Sequence, residues 1–126
     1  MALTRTIADK LPYVLTNSLY RAGIACAIKT SSYTAAYGDG IFADTSTGAF
    51  TISLPLTGTL GDTIYIHDVA GTFDVYNLTV DRNGNNINGV AENLICTLKN
   101  ASYKFMYGNV TYGWVCTMDR IELTYD

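Results

Sequence analysis

The stretch "AFTISLP" (residues 49–55) shows the pattern that decides the fold. Its apolar residues Phe50, Ile52 and Leu54 alternate with hydroxyl-bearing residues. Because successive side chains of a β-strand point to opposite faces, a period of two places the three apolar residues on one face. The stretch therefore predicts a strand with one buried face and one polar face.

The same alternation recurs through the rest of the chain, between turn residues at short spacing. It is seen in "TIYIHDV" (63–69), "VYNLTV" (75–80), "LICTL" (94–98), "SYKFMY" (102–107) and "YGWVCTM" (112–118). Many short strands at regular spacing are typical of a sandwich or a barrel. The sequence predicts an all-β fold in which residues 41–126 form an antiparallel β-sandwich or barrel-like domain. Residues 1–40 lack a clean period and are expected to form an irregular N-terminal arm that docks elsewhere.

Composition limits the classes of function. The chain has 126 residues, enough for one domain, and only 15% of them are charged, with a net charge of −3. About a quarter is typical for a soluble protein, so this composition and ten tyrosines favour a surface that contacts other subunits. No basic run could neutralise phosphates, so we expect no nucleic-acid partner. The apolar runs are too short to insert in a membrane, and the first residues do not resemble a secretory signal, so we expect folding in a cytoplasm.

The polar stretch "DRNGNNINGVAE" (81–92) has the oxygen spacing of an EF-hand calcium loop. An EF-hand loop needs glycine at its sixth position and a helix on each side, whereas this stretch has Asn86 there and strand patterns on both sides. Asn-Gly pairs at 83–84 and 88–89 are instead typical of tight hairpin turns. We therefore predict turns and no metal site.

Catalytic constellations are equally weak. The single histidine, His67, is followed directly by Asp68, and neighbours on a strand face opposite ways. The chain contains no nucleophile-elbow, zinc-protease or phosphate-loop motif. Three cysteines, an odd number without a CxxC pair, are expected to be buried thiols. The sequence thus predicts a protein that is not an enzyme and needs no cofactor. Trp114 with the surrounding tyrosines is expected in the core or an interface, with a sugar-stacking platform as the alternative.

Four spaced motifs together resemble a small β domain of tailed-bacteriophage virion proteins, of the tail-fibre, spike-associated or head-decoration type. They are "ADTSTGAFTISLP" (43–55), "GTLGDTIYIHDVAGTF" (58–73), "YNLTVDRNGNNINGVAENLIC" (76–96) and "YKFMYGNVTYGWVC" (103–116). Each motif alone is a strand and turn signature, and their order and spacing carry the resemblance. Residues 1–42 take no part in it.

The resemblance implies a non-enzymatic structural protein of the virion, a homotrimer that also contacts other phage virion proteins of the capsid or tail. In this hypothesis the N-terminal arm docks to the particle, with Tyr13, Tyr20 and Ile24 as the docking residues. The alternative is a receptor- or glycan-recognition module at a fibre or spike tip. Its recognition surface would consist of Tyr112, Trp114, Asn83, Asn85 and Asn86 and would contact a glycan or protein of the host surface.

Overall fold

The computed structural model describes residues 25–120 and residue 124, and within them it contains strands and no helix. The nine strands are β1 (Ala25–Lys29), β2 (Tyr33–Thr34), β3 (Asp39–Ala43), β4 (Phe50–Ser53), β5 (Thr63–Asp68), β6 (Leu78–Asp81), β7 (Leu94–Cys96), β8 (Ala101–Tyr107) and β9 (Trp114–Arg120). The prediction of an all-β domain is confirmed.

The strands form two sheets, and the chain alternates between them. The five-stranded sheet has the order β1-β3-β5-β8-β9, and the four-stranded sheet has the order β2-β4-β6-β7. From β1 to β6 each strand lies in the other sheet from the strand before it. The first six strands therefore form three coils of a short β-solenoid, each contributing one strand to each sheet. Strands β7, β8 and β9 then pair antiparallel on the last coil.

The pairing is mixed and not wholly antiparallel. β1, β3 and β5 are mutually parallel, as are β2, β4 and β6. Two parallel neighbours need a crossover connection between them, usually a helix. Here the crossover is a strand of the opposite sheet, so short turns suffice. Alternation fixes the sheet face on which a side chain lies but not the direction of the neighbouring strand. The parallel pairs could therefore not be recognised from the sequence, which was interpreted as antiparallel throughout.

The core lies between the two sheets and is built from the alternating residues. Ile52, Leu54, Ile64, Ile66 and Phe105 are all fully buried. Across the five-stranded sheet, Ile41 is paired with Ile66, which is paired in turn with Tyr103, so the inward row continues over three strands. Each strand face predicted to be apolar around these residues is thus the buried one.

The N-terminal boundary of the β domain differs from the predicted one. Strands β1 and β2 lie within the segment assigned to the arm, and residue 40 lies inside β3. The described part of that segment, residues 25–40, therefore belongs to the two sheets. Its strand pattern was hidden because inward positions carry small residues such as Ala27, which give little hydrophobic contrast.

The polar stretch 81–92 forms turns, as predicted. Asn83 and Gly84 both have positive φ, 49° and 86°, and Asn88 and Gly89 have 51° and 78°. Type I′ turns require positive φ at both central residues. Ile87 and Val90 exchange two backbone hydrogen bonds of 2.9 and 3.0 Å, which closes the second turn as a two-residue hairpin.

Candidate functional site

Large apolar side chains line the outward face of the five-stranded sheet, and we call this surface the outer face. They are Ile28, Phe42, Tyr65, Met106 and Val115. Ile28 is paired with Phe42, and Met106 with Val115, so the apolar side chains run across the sheet from β1 to β9. Each is at least 38% exposed, and Ile28 is 63% exposed. Exposed apolar side chains grouped on one sheet face are typical of an interaction site.

Polar groups interrupt the outer face without giving it one sign of charge. Lys104 and Asp119 lie on neighbouring strands, opposite Thr117 and Ser102 respectively. His67 points its Nδ1 atom at the Ser102 hydroxyl, 2.5 Å away, and its ring meets Phe42 edge-on with centroids 5.9 Å apart. Both contacts orient the imidazole within the sheet surface. The face therefore combines apolar area with charges of both signs.

A second apolar surface lies where three loops meet at one end of the sandwich, and we call it the loop rim. Its exposed side chains are Leu56, Leu60, Val110 and Tyr112, from loops 54–62 and 108–113. Val110 is 85% exposed and Tyr112 is 59% exposed. The loop formed by residues 82–93 makes hydrogen bonds to both of these loops.

Asparagine side chains hold the loop rim together. Asn83 Nδ2 donates to the carbonyl of Leu54, and Asn85 Nδ2 donates to that of Leu56, both at 2.9 Å. Asn86 Nδ2 donates to the carbonyl of Thr111, also at 2.9 Å. The three asparagines predicted as a recognition surface thus use their amide groups within the protein. They position the loops that carry Leu56 and Tyr112.

Asn88 adds a further contact at the edge of β9. Its Oδ1 accepts a hydrogen bond of 2.8 Å from Cys116 N, and its Nδ2 donates to Cys116 O at 3.4 Å. The side-chain amide thereby pairs with one residue of β9 as a neighbouring strand would. This contact covers the beginning of that edge, where unpaired backbone groups could otherwise form hydrogen bonds with another strand.

Trp114 does not take part in a recognition surface. Its side chain is fully buried and packs edge-on against Tyr107, with ring centroids 5.3 Å apart. The expectation that Trp114 lies in the core is therefore confirmed, and its burial excludes the alternative of a stacking platform that includes Trp114. The indole Nε1 has no hydrogen-bond acceptor among the described residues. Tyr112, the other aromatic residue of the prediction, does lie on the surface.

The predicted docking residues Tyr13, Tyr20 and Ile24 lie outside the described residues. Of the five predicted recognition residues, the structure brings four together at the loop rim. Only Tyr112 among them presents a large side chain to solvent. Sequence reasoning missed Leu56, Leu60 and Val110. Each lies within two residues of a Pro or Gly turn signal. An apolar side chain in a turn has no strand face to join, and this signal could have identified them as exposed.

Asp68 occupies a buried site that the sequence did not reveal. The carboxylate is 1% exposed and accepts hydrogen bonds from Thr72 N, Phe73 N and Asn100 N, at 3.1, 3.1 and 3.0 Å. It joins the end of β5 to the loops that precede β6 and β8. Burying a charge is costly unless it is hydrogen-bonded, and here three backbone donors provide those bonds. The role of Asp68 is to hold loops.

The thiols have two different environments. Cys26 is exposed on β1, whereas Cys96 is buried and Cys116 is half-buried, and all three are free. Burial raises the pKa of Cys96 to about 12 and that of Cys116 to about 11. A thiol is a poor nucleophile when its pKa is raised. Within residues 25–120 and 124, no group of three or more His, Cys, Asp or Glu side chains could hold a metal ion.

Comparison with known family models finds no family that matches this chain. A search of curated proteins likewise finds no matching relative. No helix in the described part of the chain is long and apolar enough to cross a membrane.

Proposed function

We propose that this protein is a non-enzymatic structural component of a bacteriophage virion, tail-fibre-like or of the capsid-decoration type. In this proposal it folds in the host cytoplasm, assembles as a homotrimer through its β domain, and joins other virion proteins of the capsid or tail. The four spaced motifs between residues 43 and 116 support the phage assignment. The outer face supports assembly, and it is the observation on which the proposal rests.

The occupant proposed for the outer face is another copy of this chain. Ile28, Phe42 and Met106 are exposed together on this face, and burying them in an interface would be favourable. Lys104 and Asp119 give the face charges of both signs, so two copies can meet without repulsion between like charges. Symmetric assembly of identical chains is also the commonest form of oligomer.

A charge placed in the middle of the outer face tests the assembly. We expect the wild-type chain to have a solution mass of three chains, or a multiple of three, by light scattering. Met106→Lys would bury an unpaired charge in the interface and abolish the trimer. Val110→Lys on the loop rim is the matched control and should keep the wild-type mass. A wild-type mass that is not a multiple of three, or an unchanged mass for Met106→Lys, contradicts the proposal.

The proposed docking by the N-terminal arm is tested separately. Deleting residues 1–24 leaves β1 and every later strand in the chain. We expect this truncation to fold, with the fluorescence of buried Trp114 unchanged, but to be absent from purified phage particles. Normal incorporation of the truncated chain would rule out docking through the arm.

Recognition of a host glycan or surface protein is the second candidate, and the loop rim favours it. Aromatic side chains such as Tyr112 can stack on sugar rings and are common at binding hot spots. We expect the β domain to bind host cells in this case, with Tyr112→Ala reducing binding at least tenfold. Val75→Ala, at an exposed valine of loop 69–77 outside both surfaces, is the control that should leave binding unchanged. Absence of cell binding by the wild-type domain would eliminate this candidate.

A further inference from the structure

Within residues 25–120, strand β1 has an unpaired edge. It is the outermost strand of the five-stranded sheet and is paired with β3 on one side only among the described residues. Cys26, Ala27 and Ile28 are all exposed, although Ala27 lies on the inward face of the sheet. In the described part of the chain, the first coil of the solenoid therefore leaves the end of the core open.

The backbone groups of β1 divide between its two edges. Ala25 N donates to Gly38 O, and Lys29 O accepts from Asp44 N, both at 2.9 Å, so these odd-numbered residues face β3. Successive residues of a strand direct their N–H and C=O groups to opposite sides. The N–H and C=O groups of Cys26 and Ile28 therefore point away from β3, which gives the free edge two donors and two acceptors.

Among the described residues, this edge carries few of the usual protections against strand addition. Natural edge strands carry proline, bulges or charged side chains that block another strand. The five residues of β1 include one charged residue, Lys29. Its Nζ lies 3.9 Å from the centroid of the Tyr33 ring, over the strand of the opposite sheet. The Lys29 charge is thus turned toward the end of the sandwich and leaves the edge accessible.

We propose that β1 is a strand-addition site for a second copy of this chain, whose own β1 pairs with it antiparallel about a two-fold axis at Ala27. In this register Cys26 faces Ile28 of the second copy, and Ile28 faces Cys26 of the second copy. Residues whose N–H and C=O groups both face the partner strand form hydrogen-bonded pairs. The pairing therefore uses all four outward groups on each chain and forms four hydrogen bonds. The inference rests on the self-assembly part of the proposed function.

This register also matches the two faces of the sheet. Cys26 and Ile28 are both on the outer face, so the outer faces of the two copies lie on the same side and become continuous. Ala27 meets Ala27 of the second copy on the inward side, where both cores are open. Joining two copies in this way closes the open end of each core, and the small alanine side chains leave room for the approach.

A disulfide at the two-fold axis tests the pairing directly. Non-hydrogen-bonded antiparallel partners have Cα atoms about 4.5 Å apart, within the range that a disulfide spans. In the full chain with Cys26→Ser, we expect Ala27→Cys to give a disulfide-linked dimer after mild oxidation, seen on a non-reducing denaturing gel. The control is Ala91→Cys, an exposed alanine in loop 82–93 that should stay unlinked. No dimer from Ala27→Cys, or equal dimer from both variants, would overturn the proposal.

A proline gives the second measurement. Ile28→Pro removes an N–H group that points away from β3, so the pairing of β1 with β3 is retained. Strand pairing joins two trimers, so we expect Ile28→Pro to halve the solution mass from six chains to three. Ile28→Thr removes the same apolar side chain from the outer face but keeps the N–H group, and it should halve the mass only at higher dilution. An unchanged mass for folded Ile28→Pro would refute strand addition. If Met106→Lys abolishes the trimer while Ala27→Cys fails to cross-link, this inference fails and the proposed function stands. If Met106→Lys leaves the mass unchanged while Ala27→Cys cross-links, the trimer is refuted and the strand pairing stands.

Discussion

Removing the carboxylate of the buried residue Asp68 should strongly destabilise this protein. The carboxylate accepts hydrogen bonds from Thr72 N, Phe73 N and Asn100 N. Phe73 is fully buried, so its N–H group has no access to water once the acceptor is lost. A buried donor left without a partner costs about 1–3 kcal/mol, and each of the other two bonds contributes about 0.5–1.5 kcal/mol.

The expected loss for Asp68→Ala is therefore about 2–6 kcal/mol in the free energy of unfolding. Domains of this size have about 5–15 kcal/mol in total, so the variant should be marginally stable. Asp68→Asn keeps one carbonyl oxygen, which can serve Phe73 N and Asn100 N, but its amide group then faces Thr72 N. We expect its loss to be about half that of Asp68→Ala.

Urea unfolding followed by the fluorescence of Trp114, the single tryptophan, measures these losses. Asp74→Ala is the matched control because Asp74 is exposed in the loop that Asp68 holds. It should change the free energy of unfolding by less than about 0.5 kcal/mol. A loss below about 1 kcal/mol for Asp68→Ala would refute the argument, since the three donors would then have found other acceptors at little cost.

Two further predictions concern the loop rim and the buried thiols. Gly113 has a φ of +68°, and a Cβ atom added there would overlap the backbone carbonyl oxygen of Asn86. Gly84 has a φ of +86°, and a Cβ atom added there would meet no atom within 4 Å. We expect Gly113→Ala to cost about 3 kcal/mol or more and Gly84→Ala about 1–2 kcal/mol, by urea unfolding, and equal costs would contradict this difference. Burial raises the pKa of Cys96 to about 12 and that of Cys116 to about 11, so the folded state favours the neutral thiols. The stabilisation from burying these neutral thiols is complete below the pKa of the unfolded thiol, about 8.5. It is lost as the pH rises toward 11–12. Thermal unfolding between pH 7 and pH 10.5 should show this decline, and it should be smaller in the Cys96→Ala, Cys116→Ala double variant; equal declines would contradict the assignment.

Local patterns in the sequence determined which side of strands β4, β5, β6 and β8 is buried and where the chain turns. Ile52, Ile64 and Phe105 are buried as their alternation predicts, because a period of two is a property of the extended backbone itself. The Asn-Gly pairs at 83–84 and 88–89 have the positive φ values expected of tight turns. Positive φ is tolerated by few residue types, so two adjacent residues suffice to predict the turn.

The tertiary structure decided which strands are neighbours and which polar groups face the interior. The same alternation is compatible with parallel and antiparallel pairing, so only closure of the coils made β1, β3 and β5 parallel. The aromatic pattern around Trp114 favoured a core or an interface without deciding between them, and its burial depends on packing against Tyr107, which is on another strand. In the sequence, Asp68 resembles the aspartates found in turns. Its structural role depends on the hydrogen bond that it accepts from Asn100 N, 32 residues later in the chain. These features depend on contacts between distant segments, and a local pattern contains no information about which segments meet.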